Sequence, residues 1–354
     1  MKKAPTEPPV RTGYLPDESG AMTDSANAAQ EAASFDVRTD LAVEETETKE
    51  AGPALSGVSM EESLDDVSQV HITRVVIENE TGAQALHKPV GTYITLDAIH
   101  MEENNGEYHR EISQVLARQI ESLIRPLCPH RPLSVLAVGL GNVNVTPDAL
   151  GPMVLDNLLI TRHLKTGQFQ FPSIRTDTAS VCGIIPGVMA QTGMETAEIV
   201  EALCGMVKPD LILVIDALAA RSVTRLGTTI QLSDTGIHPG SGVGNHRHSL
   251  TQDSLGVPVI AIGVPTVVSA AAIVTDTLDA LLDVLRQESS TEHLADSLSG
   301  MSGDEKYALV RELLEPRFGP MFVTPKDIDE TVKRLSFTIS EGINISLFGE
   351  APPF

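Results

Sequence analysis

Leu211-Ile212-Leu213-Val214-Ile215-Asp216 sets five consecutive aliphatic side chains directly before a carboxylate. An unbroken run of this kind reads as a strand buried on both faces. A second run, Leu133–Val138, opens onto Gly139-Leu140-Gly141-Asn142, and a third, Val257–Gly263, follows Gly256. Between them, Pro147–Leu164 and Met194–Met206 read as helices. Strands separated by helices imply βαβ units. The expected fold is therefore α/β: a mostly parallel sheet flanked by helices on both faces, with a disordered leader and C-terminal helices.

Outward from that centre, His71–Glu78 and Gly91–Ala98 alternate and predict a hairpin or two edge strands. His109–Leu127 carries Ile112, Val115, Leu116, Ile120, Leu123 and Ile124 at helical spacing, and Thr228–Leu232 alternates as a short strand. Val257–Val274 is apolar enough to suggest a membrane span, but Pro258, Gly263 and Pro265 interrupt it. A buried strand, a turn and a helix from about Val267 to Arg286 fit better. Further helices are expected near Asp304–Leu314 and from about Pro325. Residues 1 to about 66 are rich in Pro, Ala, Ser and Glu and bury too little apolar area to fold alone. One island interrupts them, Phe35–Glu44, which suits a docking or cleavage site and equally an edge strand. The chain divides into a leader (1–40), a flexible segment (41–68), an α/β core (69–286), and a connector with C-terminal helices (287–354).

Composition narrows the function. Of 354 residues, 42% are hydrophobic but only 3% aromatic, so the core must be aliphatic. A net charge of -23 repels phosphates, which argues against direct nucleic-acid binding and favours a basic protein partner. Three cysteines without paired spacing fit a reducing cytosol, not a disulfide framework. Lys2 and Lys3 lack the apolar stretch of a secretory signal.

Three loops can carry chemistry. In the first, Gly139 and Gly141 turn the chain after its strand, Thr146 suits an N-cap, and Pro147 the first helical position. Asp148 then falls in the first helical turn, where the dipole favours a carboxylate; such residues are also common there purely for stability. A full Gly-x-Gly-x-x-Gly nucleotide loop is missing, because position 144 is Asn. The second loop opens at Asp216, a charge at the end of a buried strand, with Arg221 as a candidate structural partner. The third, Ser233–His248, is dense in Gly, His, Asp and Asn, as suits a backbone that approaches a peptide. Its Asp234-Thr235-Gly236 matches the pepsin-like signature over three residues only, and the α/β pattern is wrong for that β fold. His238, His246 and His248 match no standard zinc spacing.

Longer segments resemble the germination protease family of endospore-forming bacteria: Arg38–Glu44 (RTDLAVE), Val138–Met153 (VGLGNVNVTPDALGPM), Asn157–Leu164, Pro186–Met189, Thr192–Thr196, Ile215–Arg221 (IDALAAR), Thr228–Asn245 (TTIQLSDTGIHPGSGVGN) and Gly256–Val268. The resemblance implies an endopeptidase that degrades small acid-soluble spore proteins in the cytoplasm of the forespore and spore core. It implies a precursor that cuts itself between Asp40 and Leu41, and a homotetramer similar in fold to hydrogenase maturation proteases. It implies catalysis by Asp148 and Asp216. Relative to the family, the leader before Arg38 is longer, the connector after Arg286 shorter, and Ser180–Ile185 varies.

These readings predict attack of water on a peptide carbonyl, one aspartate acting as base and the other as acid, because two carboxylates in one site split their pKa values. Asn142, Asp234, His238, Gly240 and Gly242 are the candidate substrate-binding residues, and no cofactor or membrane is expected. No Gly-x-Ser-x-Gly elbow is present. Three rivals stand: a single metal held by Asp148, Asp216 and His238, a non-cleaving binding protein for spore proteins, and a nucleotide-binding enzyme.

Overall fold

The computed structural model describes residues 39–49, 56–103, 105–166, 178–238, 248–287 and 300–350. The leader expected over 1–40 therefore lies outside the described residues except at its last two positions. Nine strands and eleven helices occur among the described residues. The chain begins with α1 (Ala42–Lys49), β1 (Val58–Leu64), β2 (His71–Ile77), α2 (Glu80–Leu86), β3 (Gly91–Asp97) and α3 (Gly106–Leu127). It continues through β4 (Ser134–Gly139), α4 (Leu150–Asp156), α5 (Arg162–Thr166), β5 (Ser180–Ile184), α6 (Met189–Thr192), α7 (Thr196–Val207) and β6 (Leu211–Ala220). It ends with β7 (Thr229–Ser233), α8 (Gln252–Leu255), β8 (Val259–Ser269), α9 (Ala270–Gln287), α10 (Gly303–Phe318), β9 (Phe322–Val323) and α11 (Ile328–Phe348).

The α/β class is as expected, but the sheet is mixed. Its order is β1-β2-β3-β7-β8-β6-β4-β5, with β9 on β8. The block β8-β6-β4-β5 is parallel, and every other pairing is antiparallel. Parallel neighbours require a crossover: α4 and α5 lie between β4 and β5, α7 between β5 and β6, and β7 with α8 between β6 and β8, whereas β2 and β3 are joined by the short α2 and return antiparallel.

Helices cover both faces of the parallel block. On one face Val135, Ala137, Leu213, Ile215 and Ile262 pack with α3, α4 and α11 in the main core. On the other, Leu136, Val138, Ile212 and Val214 meet Val200 and Cys204 of α7. The buried positions of β4 and β6 alternate between the two clusters, which is why both strands read as continuous apolar runs. Val332, Leu335, Ile339 and Ile343 of α11 are fully enclosed, so the C-terminal helix is part of the core and not outside a 69–286 body. Each such aliphatic side chain contributes about 1.5–3 kcal/mol relative to exposure.

Several boundaries depart from the sequence expectation. The 41–68 stretch, expected to be flexible, contributes α1 and the edge strand β1. Pro147–Leu164 is not one helix: a 3-10 turn (Thr146–Asp148) precedes α4, and α5 follows a break. β8 does not stop at Gly263 but runs to Ser269 through Pro265. A bulge at Thr266 of β8, opposite the step from Leu218 to Ala219 of β6, accommodates the proline, and the Pro265 carbonyl accepts from Gly227. Because β8 is long, β6 is extended too. Asp216 therefore sits inside β6, opposite Gly263, and not in a loop. β4, however, ends at Gly139 opposite Ile215, so Asp216 still lies just past the carboxyl end of its neighbour. No helix of the described residues is long and apolar enough to cross a membrane.

Candidate active site

The turn after β4 fixes Asp148. Gly141 has φ +114° and approaches the Asp148 backbone so closely that a Cβ would stand 1.8 Å from its carbonyl oxygen. The Asn142 N–H donates to that carbonyl (3.0 Å) and to Asp148 Oδ2 (2.9 Å). Asp148 closes the 3-10 turn, whose preceding residue is Val145, so Thr146 is not the N-cap and Asp148 precedes the first turn of α4. The carboxylate is thus positioned by a backbone N–H rather than by the helix. Gly139 lets β4 touch α4: a Cβ there would meet the Gly151 carbonyl at 2.5 Å.

Asp216 is only 7% exposed, and its Oδ1 accepts from the Ala217 N–H (2.9 Å). Counting along β6, it faces the side of the sheet that carries Val214 and Leu218. Asp148 and Asp216 line one cavity of about 360 Å³, together with Leu140, Gly141, Thr266 and Asp40. Asp216 and Asp40 also line a smaller neighbour of about 70 Å³, with Lys88, Tyr93, Gln231 and His238.

The presence of Asp40 comes from the docking of residues 39–46. The Asp40 N–H donates to the Ala219 carbonyl (3.2 Å), and the Ala219 N–H donates to Asp40 Oδ2 (2.9 Å). Leu41 is fully buried against Leu218 and Ala220. Glu44, 3% exposed, accepts from the N–H groups of Arg221 (2.9 Å) and Ser222 (3.0 Å) and from the Thr39 hydroxyl. Arg225 adds an ion pair to Glu44 at 3.7 Å. Glu44 thus holds the segment to the end of β6.

The other expected residues are distributed unevenly. Asn142 holds Asp148 as described, and its Oδ1 accepts from Gln191 (3.2 Å). Asp234 lines neither cavity; its Oδ1 accepts from the Thr92 N–H (2.7 Å), clamping β7 to β3. His238 reaches the smaller cavity, where burial and the Lys88 charge push its pKa down. Gly240 and Gly242 lie outside the described residues. Among the described residues no group of three His, Cys, Asp or Glu side chains is placed to hold a metal, so Asp148, Asp216 and His238 do not assemble as a metal triad.

Sequence reasoning passed over Lys88, Tyr93 and Gln231. Burial pushes the Lys88 ammonium pKa down, against the pull of Asp40, Glu45 and Glu44. The Tyr93 hydroxyl donates to the Pro89 carbonyl (2.9 Å), and burial drives its pKa up to about 12. The signal for Gln231 was a polar residue between Ile230 and Leu232 in a strand buried throughout. Lys88 carried no local signal at all.

Comparison with known proteins places the chain among peptidases. The profile described as Germination protease matches residues 36–299. Germination proteases of Caldanaerobacter subterraneus subsp. tengcongensis and Clostridium perfringens (strain 13 / Type A) are 47% and 44% identical, each over 88% of this chain and 94% and 95% of their own lengths. That of Bacillus subtilis (strain 168) is 40% identical over 88% of this chain and 93% of its own. The chain belongs to the germination protease family.

Proposed function

We propose that the chain is an endopeptidase that degrades small acid-soluble spore proteins during germination, and that it is made as a precursor that removes residues 1–40 by cutting between Asp40 and Leu41. The observation that carries this reading is the shared cavity: Asp148, Asp216 and Asp40 line it together. The last residue of the leader thus lies beside both carboxylates. In this reading 69–286 carries the catalytic aspartates, the enzyme works in the forespore and spore core, and it assembles as a homotetramer, the last point resting on resemblance alone.

The mechanism follows from the two carboxylates. Asp148, whose Oδ2 is fixed by the Asn142 N–H, acts as the base and takes a proton from water as the oxygen attacks the carbonyl carbon. The carbonyl π pair moves to oxygen and gives a tetrahedral oxyanion. Asp216 acts as the acid and gives its proton to the leaving nitrogen as the C–N bond breaks. The products are a new carboxyl terminus and a new amine, with one water consumed. No further reactant is needed.

The test is cleavage of a purified acid-soluble spore protein by the full-length chain, read by intact mass. Asp148→Asn and Asp216→Asn are expected to abolish cutting while the thermal melt is kept, and a chelator is expected to leave wild type active. Wild-type protein that binds the substrate without cutting would overturn the peptidase mechanism. Loss of activity with chelator would replace it with a metal mechanism.

A further inference from the structure

The carbonyl oxygen of Asp40 is engaged in an unusual way. Lys88 Nζ donates to it at 3.1 Å and Gln231 Nε2 at 2.9 Å. Both donors come from distant parts of the chain and converge on one backbone oxygen. Lys88 Nζ also holds the Thr39 carbonyl (3.0 Å), and Gln231 Oε1 accepts from the Ala42 N–H (2.6 Å). The Gln231 amide therefore grips the main chain on both sides of the Asp40–Leu41 bond. Every one of these bonds is to backbone, so the same grip is open to any extended peptide lying in this place.

The energetics argue against a merely adhesive role. Taking an ammonium out of water costs several kcal/mol, and a buried ion is weak evidence for stability. A neutral carbonyl in a docking loop needs one ordinary donor. Two donors, one of them a cation, suit a carbonyl oxygen that becomes negative. Both distances fall within the 2.7–3.1 Å window of groups that stabilise an oxyanion. Lys88 and Gln231 line the small cavity together with Asp216. Asp216 precedes Leu218, against which Leu41 packs, by two positions, or about 6.6 Å of strand.

We propose that Lys88 and Gln231 are the oxyanion-stabilising pair of this peptidase, acting on the Asp40 carbonyl in self-processing and on the equivalent carbonyl of a bound substrate. The proposal rests on the reading above that the chain cuts itself at this bond. When water attacks the Asp40 carbon, the π pair moves to the oxygen held by Lys88 and Gln231. The pair then returns as the bond to the Leu41 nitrogen breaks. Neither residue exchanges a proton, so both differ in role from the two aspartates.

The experiment uses the full-length chain, with self-cleavage followed by intact mass, the thermal melt recorded, and the docking of residues 40–41 followed by amide hydrogen exchange. Lys88→Met keeps length and bulk but removes the donor, and replacing a buried charge by an apolar group is often neutral for folding. Gln231→Met is the second variant, should the first fail to fold. Each is expected to slow self-cleavage about 100- to 1,000-fold, with the segment still docked, and Lys88→Arg is expected to recover part of the rate. Wild-type rates in folded Lys88→Met or Gln231→Met would overturn the proposal. So would slow cleavage accompanied by lost exchange protection at Asp40 and Leu41, whose N–H groups bond to Ala219 and Thr39 and to neither mutated residue, since that is the signature of a docking clamp. Wild-type protein that does not cut at Asp40–Leu41 would overturn the self-processing reading first, and the pair with it.

Discussion

Gly141→Ala tests how the Asp148 carboxylate is held. A Cβ at this position would stand 1.8 Å from the Asp148 carbonyl oxygen and 3.2 Å from its Oδ1, whereas ordinary contact begins at 3.4 Å. Residue 141 and the Asp148 backbone must therefore retreat from each other by about 1.6 Å. The retreat breaks the paired bonds from the Asn142 N–H that aim the carboxylate. A displacement of about 1 Å in a catalytic group costs on the order of 100-fold in rate. The φ of +114° adds about 1–3 kcal/mol of backbone strain for alanine. Gly193→Ala is the matched control. It shares the left-handed conformation, with φ +72°, but a Cβ there meets nothing within 4 Å. Gly141→Ala is expected to lose more stability in urea titration, since it adds the clash and the broken bonds to the φ strain the two variants share, and only Gly141→Ala is expected to lose about 100-fold in spore-protein cleavage. Equal cleavage rates in the two variants would refute the argument that Gly141 positions Asp148.

Three further outcomes are expected. Glu44→Ala leaves the half-buried N–H groups of Arg221 and Ser222 without their acceptor, at about 1 kcal/mol or more each; a loss under 1 kcal/mol in urea would show that the segment is anchored elsewhere. Asp234→Ala is expected to lower stability by about 1–3 kcal/mol through the lost Thr92 bond while sparing cleavage, so a large fall in kcat at unchanged stability would give it a direct role. His109 bridges Thr338 of α11 and the Glu103 carbonyl, and burial holds its pKa below the usual 6.5, with Arg334 adding to the fall. The unfolded chain then binds the extra proton, so stability is full above pH 6.5 and declines as pH falls below it. Melting curves between pH 5 and 7.5 should show this slope, and His109→Gln should flatten it.

The parts of the site legible in the sequence were those where one local rule suffices. A glycine pair after an aliphatic strand announces a tight turn, and the carboxylate behind it inherits its place from that turn; Asp148 was found this way. Asp216 was found because a charge cannot follow five buried aliphatics without a use or a partner. In both cases the structure differs from the sequence expectation in the element that carries the residue. Pro265 reads as a strand breaker, yet a bulge against β6 accommodates it, and the longer β8 carries β6 past Asp216. Likewise 41–68 reads as unstructured because its composition is polar, while α1 and β1 draw their order from partners far away: Leu41 from Leu218, β1 from β2.

Lys88 and Gln231 were invisible for the same reason in a sharper form. Neither belongs to a motif with its target, which is a backbone oxygen 48 residues away from one and 191 from the other. Only the antiparallel run β3-β7-β8 brings them to it. The mixed sheet therefore has a consequence for the site. Its parallel half supplies Asp148 and Asp216 past the end of β4, as α/β sheets commonly do. Its antiparallel half supplies Gln231 from β7, and Lys88 from the connection into β3. The Asp40 segment crosses β6 between the two halves. A purely parallel sheet would have offered carboxylates to a peptide with nothing on the far side to hold its carbonyl.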